Sequence, residues 1–211
     1  MLFTNHHGGY GAIQKLSSID HDYLTNGFWA KNKNEELPCE GLSVTLLVRM
    51  EEVTDEVLKG VTNDITEAQR REIIKENSKK ITDKATEGTH YKADVEEFFY
   101  GNNYYLFIYE VFTDVRLVGA PPSNIGKFGG DTDNWMWPRH TGDFSVFRIY
   151  ADKDNKPAEY SKDNKPYTPK KFLKISLQGY EQDDFTFVFG YPGSTNEYLP
   201  ASAIKLTTDV R

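Results

Sequence analysis

Residues 95–111 read VEEFFYGNNYYLFIYEV. Val95 to Tyr100 and Tyr104 to Val111 are dense in aromatic and β-branched side chains, with Gly101-Asn102-Asn103 between them. Two such runs around a short glycine-containing turn form a β-hairpin. Working outward, the strand pattern holds from Tyr91 to Val118, and Pro121-Pro122 stops it. Upstream, Leu42 to Met50 alternates, with Leu42, Val44, Leu46 and Val48 on one side, which predicts another strand. Leu2 to Asn5, Phe144 to Tyr150, Phe172 to Leu177, Phe185 to Phe189 and Tyr198 to Leu206 are further strand candidates, and Asp152 to Lys171 is a polar loop. Two stretches break the pattern. Ala12 to Ile19 sets Ile13, Leu16 and Ile19 on one helical face. Thr54 to Thr86 is charged, free of proline and apolar only at a thin stripe of Ile73, Ile74 and Ile81. Thr54-Asp55-Glu56 and Thr66-Glu67 are helix starts within it. The fold class is mainly β with a helical insertion at about 54–86, hence an antiparallel barrel or sandwich.

Length and charge narrow the function. The chain has 211 residues, 25 Lys+Arg against 32 Asp+Glu and a net charge of −7. That length fits one domain. The acidic balance speaks against a protein that tracks phosphates, so no nucleic-acid partner is expected. No run of about 18 apolar residues occurs, so no membrane-spanning helix is expected. Cys39 is the one cysteine, which forbids an internal disulfide and a zinc cage of several thiolates. No basic and apolar leader precedes the first strand, so no signal peptide is visible.

Three spots can carry chemistry. His6-His7 ends the first strand and runs into Gly8-Gly9-Tyr10-Gly11. Adjacent side chains on extended backbone point to opposite faces, so the pair suits one metal ion poorly. It is either a solvated turn or part of a site, and a metal centre of His6, His7 and His140 is one alternative. Asp143 stands at the mouth of the strand that begins at Phe144. An aspartate there is ordinarily a turn former. Its functional reading is a carboxylate that orients a histidine, so that the other ring nitrogen takes a proton from a nucleophile. Asn134-Trp135-Met136-Trp137-Pro138-Arg139 puts two indoles beside an amide and a guanidinium. The tryptophans either cap the core or wall a ligand site. Gly190-Tyr191-Pro192-Gly193-Ser194 lacks the glycine two places after the serine that a nucleophile elbow needs, because position 196 is Asn.

These motifs resemble a known family. Thr4 to Gln14 resembles the histidine motif of the S46 dipeptidyl-peptidases, and GGDTDNWMWPRHTGDFSVFR (129–148) is similar to their aspartate motif. GYPGSTNEYL (190–199) matches a further stretch, so the likeness runs in order along nearly the whole chain. The resemblance implies serine exopeptidases, without a cofactor or a metal, that release dipeptides from the free amino terminus of oligopeptides. It implies a periplasmic or cell-surface location in a Gram-negative bacterium. It also implies a chymotrypsin-like double β-barrel joined to a helical domain, with residues 1–211 as most of the first, His- and Asp-bearing barrel, cut at both ends. By this resemblance His7 is the general base, Asp143 its orienting partner, and Asn134 and Trp135 lie at the substrate's α-amino group. The family's Asn-Ser-Gly-Ser nucleophile stretch does not occur here, so these residues alone are expected to be inactive. A homodimer is one assembly open to the parent. The rival reading is a non-catalytic barrel, or pseudo-enzyme, that binds a peptide terminus.

Overall fold

The computed structural model describes residues 1–5, 10–128, 142–187 and 199–210. At its start lie β1 (Leu2–Asn5), α1 (Tyr10–Leu16), α2 (Tyr23–Asn26), β2 (Phe28–Trp29) and β3 (Leu37–Pro38). Then come β4 (Val44–Glu52), α3 (Thr54–Val57), α4 (Glu67–Thr86), β5 (Lys92–Phe98), β6 (Asn103–Phe112) and β7 (Val115–Ala120). The last elements are α5 (Ser123–Gly126), β8 (Lys127–Phe128), β9 (Gly142–Asp143), β10 (Ser145–Ala151), β11 (Lys165–Pro166) and α6 (Ala201–Val210). The protein is mainly β with helices.

Among the described residues the strands form three antiparallel sheets. The largest runs β1-β10-β7-β2, with β3 also on β7 and β11 on β10; the second is β4-β6-β5, and β8 pairs β9 alone. Phe147, Leu117, Val115 and Ile13 are at most 1% exposed and form the core under the first sheet, with Phe3 stacked on Phe147 at 5.7 Å. Phe112, Ile149, Ala151 and Tyr167 join the two larger sheets, with Val44 and Leu46 packed against them. Burying each large apolar side chain contributes roughly 1.5–3 kcal/mol, which is why the strands that supply two core residues apiece set the architecture.

The charged excursion folds as α3 and α4. The Thr66 hydroxyl accepts from the Gln69 amide at 3.3 Å, and the Gln69 carbonyl oxygen accepts from the Thr66 amide at 2.9 Å. This reciprocal cap satisfies donors that the first turn leaves free. The Asn77 amide donates to the carbonyls of Val57 and Lys59, both at 2.9 Å, and ties α4 to the end of α3. Ile74 and Ile81 pack on Val57 and Ile108.

Several expected elements differ. The first helix stops at Leu16 and leaves Ile19 fully exposed. The Ser17 hydroxyl donates back to the Ile13 carbonyl, and the Ser18 hydroxyl accepts from the His21 amide. Such local bonds compete with helix continuation. β4 begins at Val44, and its ladder with β6 shifts register between Leu47 and Arg49. The extra residue breaks the period of two, so Val48 is 40% exposed instead of lying with Val44 and Leu46. The hairpin turn sits earlier than Gly101-Asn102-Asn103: β5 ends at Phe98, which pairs Asn103. Phe99 and Tyr100 take positive φ (51° and 59°), followed by Gly101 at 80°. Positive φ at both central residues gives the twist that matches the strands, at a cost that only glycine avoids.

The expected C-terminal strands are absent among the described residues. Residues 172–177 and 185–187 are irregular, and Phe172, Leu173, Ile175, Leu177, Phe185 and Phe187 are 74–96% exposed. Alternating apolar residues make a strand only where a neighbour takes up the backbone donors and acceptors. None of the described strands lies beside them. The run from Tyr198 to Leu206 holds a helix instead, α6, opened by the Pro200 carbonyl accepting from Ala203 and Ile204. Alanine, leucine and lysine favour that outcome where no sheet is available. Phe189 and Tyr198 lie outside the described residues. The polar loop after β10 holds β11 and is closed by Asn155, whose amide donates to the Thr168 carbonyl (2.9 Å) and accepts from the Thr168 amide (2.8 Å).

Candidate active site

The candidate site is approached by two paired strands. β1 and β10 run antiparallel with Leu2 opposite Arg148, Phe3 opposite Phe147, Thr4 opposite Val146 and Asn5 opposite Ser145. Asn5 is two residues before His7, and Ser145 is two residues after Asp143. The backbone of Asp143 lies in β9, paired with Lys127, and the Phe144 amide donates to the Gly126 carbonyl at 2.9 Å. His7, Asn134 and Trp135 lie outside the described residues, as do the side chain of Asp143, His6, His140, Trp137, Ser194 and most of the 190–199 motif. Among the described residues, no group of three or more His, Cys, Asp or Glu side chains suits a metal ion, and no helix is long and apolar enough to cross a membrane.

β10 is held from both of its faces. Its inward side chains, Ser145, Phe147 and Ile149, are fully buried. Its outward ones meet charged partners. Arg148 Nε donates to both Glu36 oxygens, at 2.9 and 3.2 Å, and the Tyr150 hydroxyl donates to Glu36 Oε2 at 2.8 Å. The Arg116 guanidinium lies 3.7 Å from the centre of the Tyr150 ring and 4.9 Å from that of Tyr160. It donates twice to Asp114, at 2.8 and 2.7 Å, and once to the Ser161 carbonyl at 2.8 Å. Asn164 donates to Asp114 Oδ2 and to the Glu159 carbonyl, both at 2.8 Å. The chain Glu36–Tyr150–Arg116–Asp114–Asn164 thus links the residue just before β3 to β10, β7 and the loop after β10. None of these residues stands out in a sequence motif. The signal was two charges, Asp114 and Arg116, spaced by two within an otherwise apolar run.

Two cavities share the wall Pro38–Gly41. One, about 420 Å³, reaches α1 at Ala12, Lys15 and Leu16; the other, about 630 Å³, reaches Thr113–Val115, Glu159 and Tyr160. Cys39 lines both, and burial pushes its thiol up to about 11. A thiol so protonated at neutral pH is a poor nucleophile. Tyr150 is pushed up to about 12, by burial first and then by its bond to the Glu36 carboxylate. Both groups hold their protons more tightly folded than unfolded, against ordinary values of 9.0 and 10.0. Their contributions to stability are therefore complete below pH 9 and fall as pH rises through 11 and 12. Stability measured from pH 8 to 12 should decline across that window. Tyr150→Phe should flatten the upper part of the decline while lowering stability at pH 8, since Glu36 loses a donor.

These strands and motifs define a class. The peptidase S46 family model matches residues 1–211, and the chain belongs to that family. It is 57% identical over 210 residues to the Asp/Glu-specific dipeptidyl-peptidase of Capnocytophaga gingivalis, covering 100% of this chain and 30% of that protein. It is 54% identical over 209 residues to dipeptidyl-peptidase 7 of Porphyromonas gingivalis, covering 97% and 29%. The crystal structure of Porphyromonas endodontalis DPP11 in complex with the dipeptide Arg-Asp superposes with a TM-score of 0.85 at 45% identity, over 99% of this chain and 31% of that one. The chain spans about 30% of the length of the curated relatives it matches.

Proposed function

We propose that residues 1–211 are the His- and Asp-bearing part of a serine dipeptidyl-peptidase with a chymotrypsin-like catalytic domain, acting in the periplasm or at the cell surface. The observation that carries this reading is the register of β1 on β10. Leu2 to Asn5 lie opposite Arg148 to Ser145, so the ladder closes with Asn5, two residues before His7 in the sequence, opposite Ser145, two residues after Asp143. Directly opposite residues of an antiparallel pair share a face and lie about 4.5–5.5 Å apart. Asn5 and Ser145, 140 residues apart in the chain, are thereby neighbours, which supports a common site for His7 and Asp143. In the proposed chemistry His7 takes the proton of a serine supplied from outside these residues and returns it to the leaving amine. Asp143 holds the other ring nitrogen and stabilises the imidazolium.

Asn134 and Trp135 supply the proposed grip on the substrate. An amide oxygen accepts from an α-ammonium, and an indole face attracts a cation. A clamp at fixed depth sets the cut two residues from the amino terminus. The curated relatives are named dipeptidyl-peptidases, which supports the same reaction. The test uses the full-length protein with a chromogenic dipeptide and with its amino-acetylated counterpart. Release from the free dipeptide, blocked by a serine-directed reagent and lost on acetylation, is the expected result. Equal cleavage of the acetylated substrate would overturn the terminus-counting role, and insensitivity to the reagent would overturn the serine mechanism.

A further inference from the structure

The backbone of Asp143 rests on a short support built from α5 and α2. Asp143 in β9 pairs Lys127 in β8, and the Phe144 amide donates to the Gly126 carbonyl at 2.9 Å. The Gly126 and Ile125 amides both donate to the Pro122 carbonyl at 2.8 Å, which closes α5 into one turn. Pro122 in turn packs closely on Gly27. A Cβ at Gly27 would stand 2.8 Å from Pro122 Cδ and 2.9 Å from both the Pro122 nitrogen and the Ala120 carbonyl oxygen. Backbone contacts therefore lead from Gly27 through Pro122 and Gly126 to Phe144, the residue next to Asp143. Planar peptides and the fixed φ of proline leave this support little slack.

Both ends of α2 are fixed. The Asp22 carboxylate accepts from the Thr25 amide at 3.0 Å, and the Gly27 amide donates to the Tyr23 carbonyl at 3.1 Å. Gly27 takes a φ of 74°, which glycine adopts without strain, and β2 follows at once with Phe28 opposite Ala120. α5 has only four residues. A helix so short does not hold itself, so its place depends on what it is tied to. The tie is Ser123, whose hydroxyl donates to the Leu24 carbonyl of α2, 99 residues away in the chain. We propose that Ser123 is a positioning residue for Asp143. Its bond fixes α5 on α2, α5 and β8 fix the backbone of Asp143, and Asp143 orients His7. The inference rests on the peptidase reading of His7 and Asp143 and adds a residue that acts through the backbone of Asp143.

The experiment is steady-state kinetics of the full-length protein on a chromogenic dipeptide with a free amino terminus. It compares Ser123→Ala, Ser123→Thr, Asp143→Asn and the double variant of Ser123→Ala with Asp143→Asn. Ser123→Ala should lower kcat about tenfold or more with KM within about twofold, because a misplaced orienting group is felt in the transition state. It should also move the acidic limb of kcat/KM to lower pH, since a carboxylate held less closely favours the imidazolium less. A loss of stability alone leaves that limb in place. Ser123→Thr keeps the donor and should restore kcat to within about threefold. In the Asp143→Asn background, Ser123→Ala should cost less than about twofold more. If Asp143→Asn carries its expected penalty while Ser123→Ala costs less than about twofold or leaves the limb in place, this inference fails and the reading of Asp143 stands. Penalties that multiply would overturn it too, because Ser123 would then act elsewhere. A threonine variant as slow as the alanine one would overturn the role of the hydroxyl. An altered near-ultraviolet circular dichroism spectrum for Ser123→Ala would overturn the inference in favour of a purely structural role. If Asp143→Asn itself leaves kcat unchanged, the peptidase reading of Asp143 fails and takes this inference with it.

Discussion

Replacing His7 by alanine in the full-length protein should lower dipeptide release by about 10⁴-fold or more, with little change in KM. Asp143→Asn should cost about 10⁴-fold, because an imidazole in the wrong tautomer cannot accept the serine proton even where geometry is kept. The decisive measurement is the double variant. Groups that act as one unit are strongly non-additive, so losing both should cost about as much as losing His7 alone. Multiplying penalties would show that the two side chains work separately, and the proposed dyad would fail. The pH profile gives a second check, since the acidic limb of kcat/KM reports protonation of the free enzyme's base. If His7 is that base, Asp143→Asn should move the limb to lower pH, because a carboxylate nearby favours the imidazolium.

The largest stability effect is expected at Arg116. Its guanidinium is held between two tyrosine rings and donates twice to Asp114, a carboxylate 1% exposed. Arg116→Ala leaves that carboxylate buried with Asn164 as its remaining described donor. Removing one partner of a buried pair costs about 3–5 kcal/mol, because the other charge stays desolvated. The transition midpoint in urea should fall accordingly, and the loop carrying Tyr160 and Ser161 should lose its protection from hydrogen exchange. Asp114→Leu combined with Arg116→Met removes both charges and keeps apolar volume. It should recover most of the loss. If the double variant is as unstable as Arg116→Ala, the hydrogen bonds to the loop, rather than the ion pair, dominate.

Strand positions near the core were readable because their pattern answers to local chemistry. Leu2 to Asn5, the 91–118 region and Phe144 to Tyr150 are read as strands, and they hold β1, then β5, β6 and most of β7, and then most of β10. Thr66 with Gln69 announces a helix start, and the capping box forms. The misreadings share another cause. Residues 172–177 carry as good a strand pattern as β10, yet they stand 74% or more exposed at Phe172, Leu173, Ile175 and Leu177. Their fate depends on a neighbouring strand, which is a property of the fold and not of the segment. Val48 was misplaced because a bulge costs one residue of phase and leaves no mark in composition.

The candidate site divides along the same line. Residue types singled out the His6-His7 pair, Asp143 and the stretch Asn134 to Arg139, and the resemblance implied the roles of His7, Asp143, Asn134 and Trp135 as base, orienting carboxylate and grip on the amino terminus. That His7 and Asp143 belong to one place is what the resemblance implies, and the ladder of β1 on β10 pairs the segments next to them in sequence. The buried chain from Glu36 to Asn164 was invisible beforehand, because Glu36 and Arg148 are 112 residues apart and pair across the sheet. Side-chain chemistry and local periodicity are written residue by residue, so the sequence alone determined the family, the strand-rich class and the candidate reactive groups. Register, burial and the pairing of distant charges are set by which strands become neighbours, so only the tertiary structure decided how β10 is anchored and which face of β4-β6-β5 packs under α3 and α4.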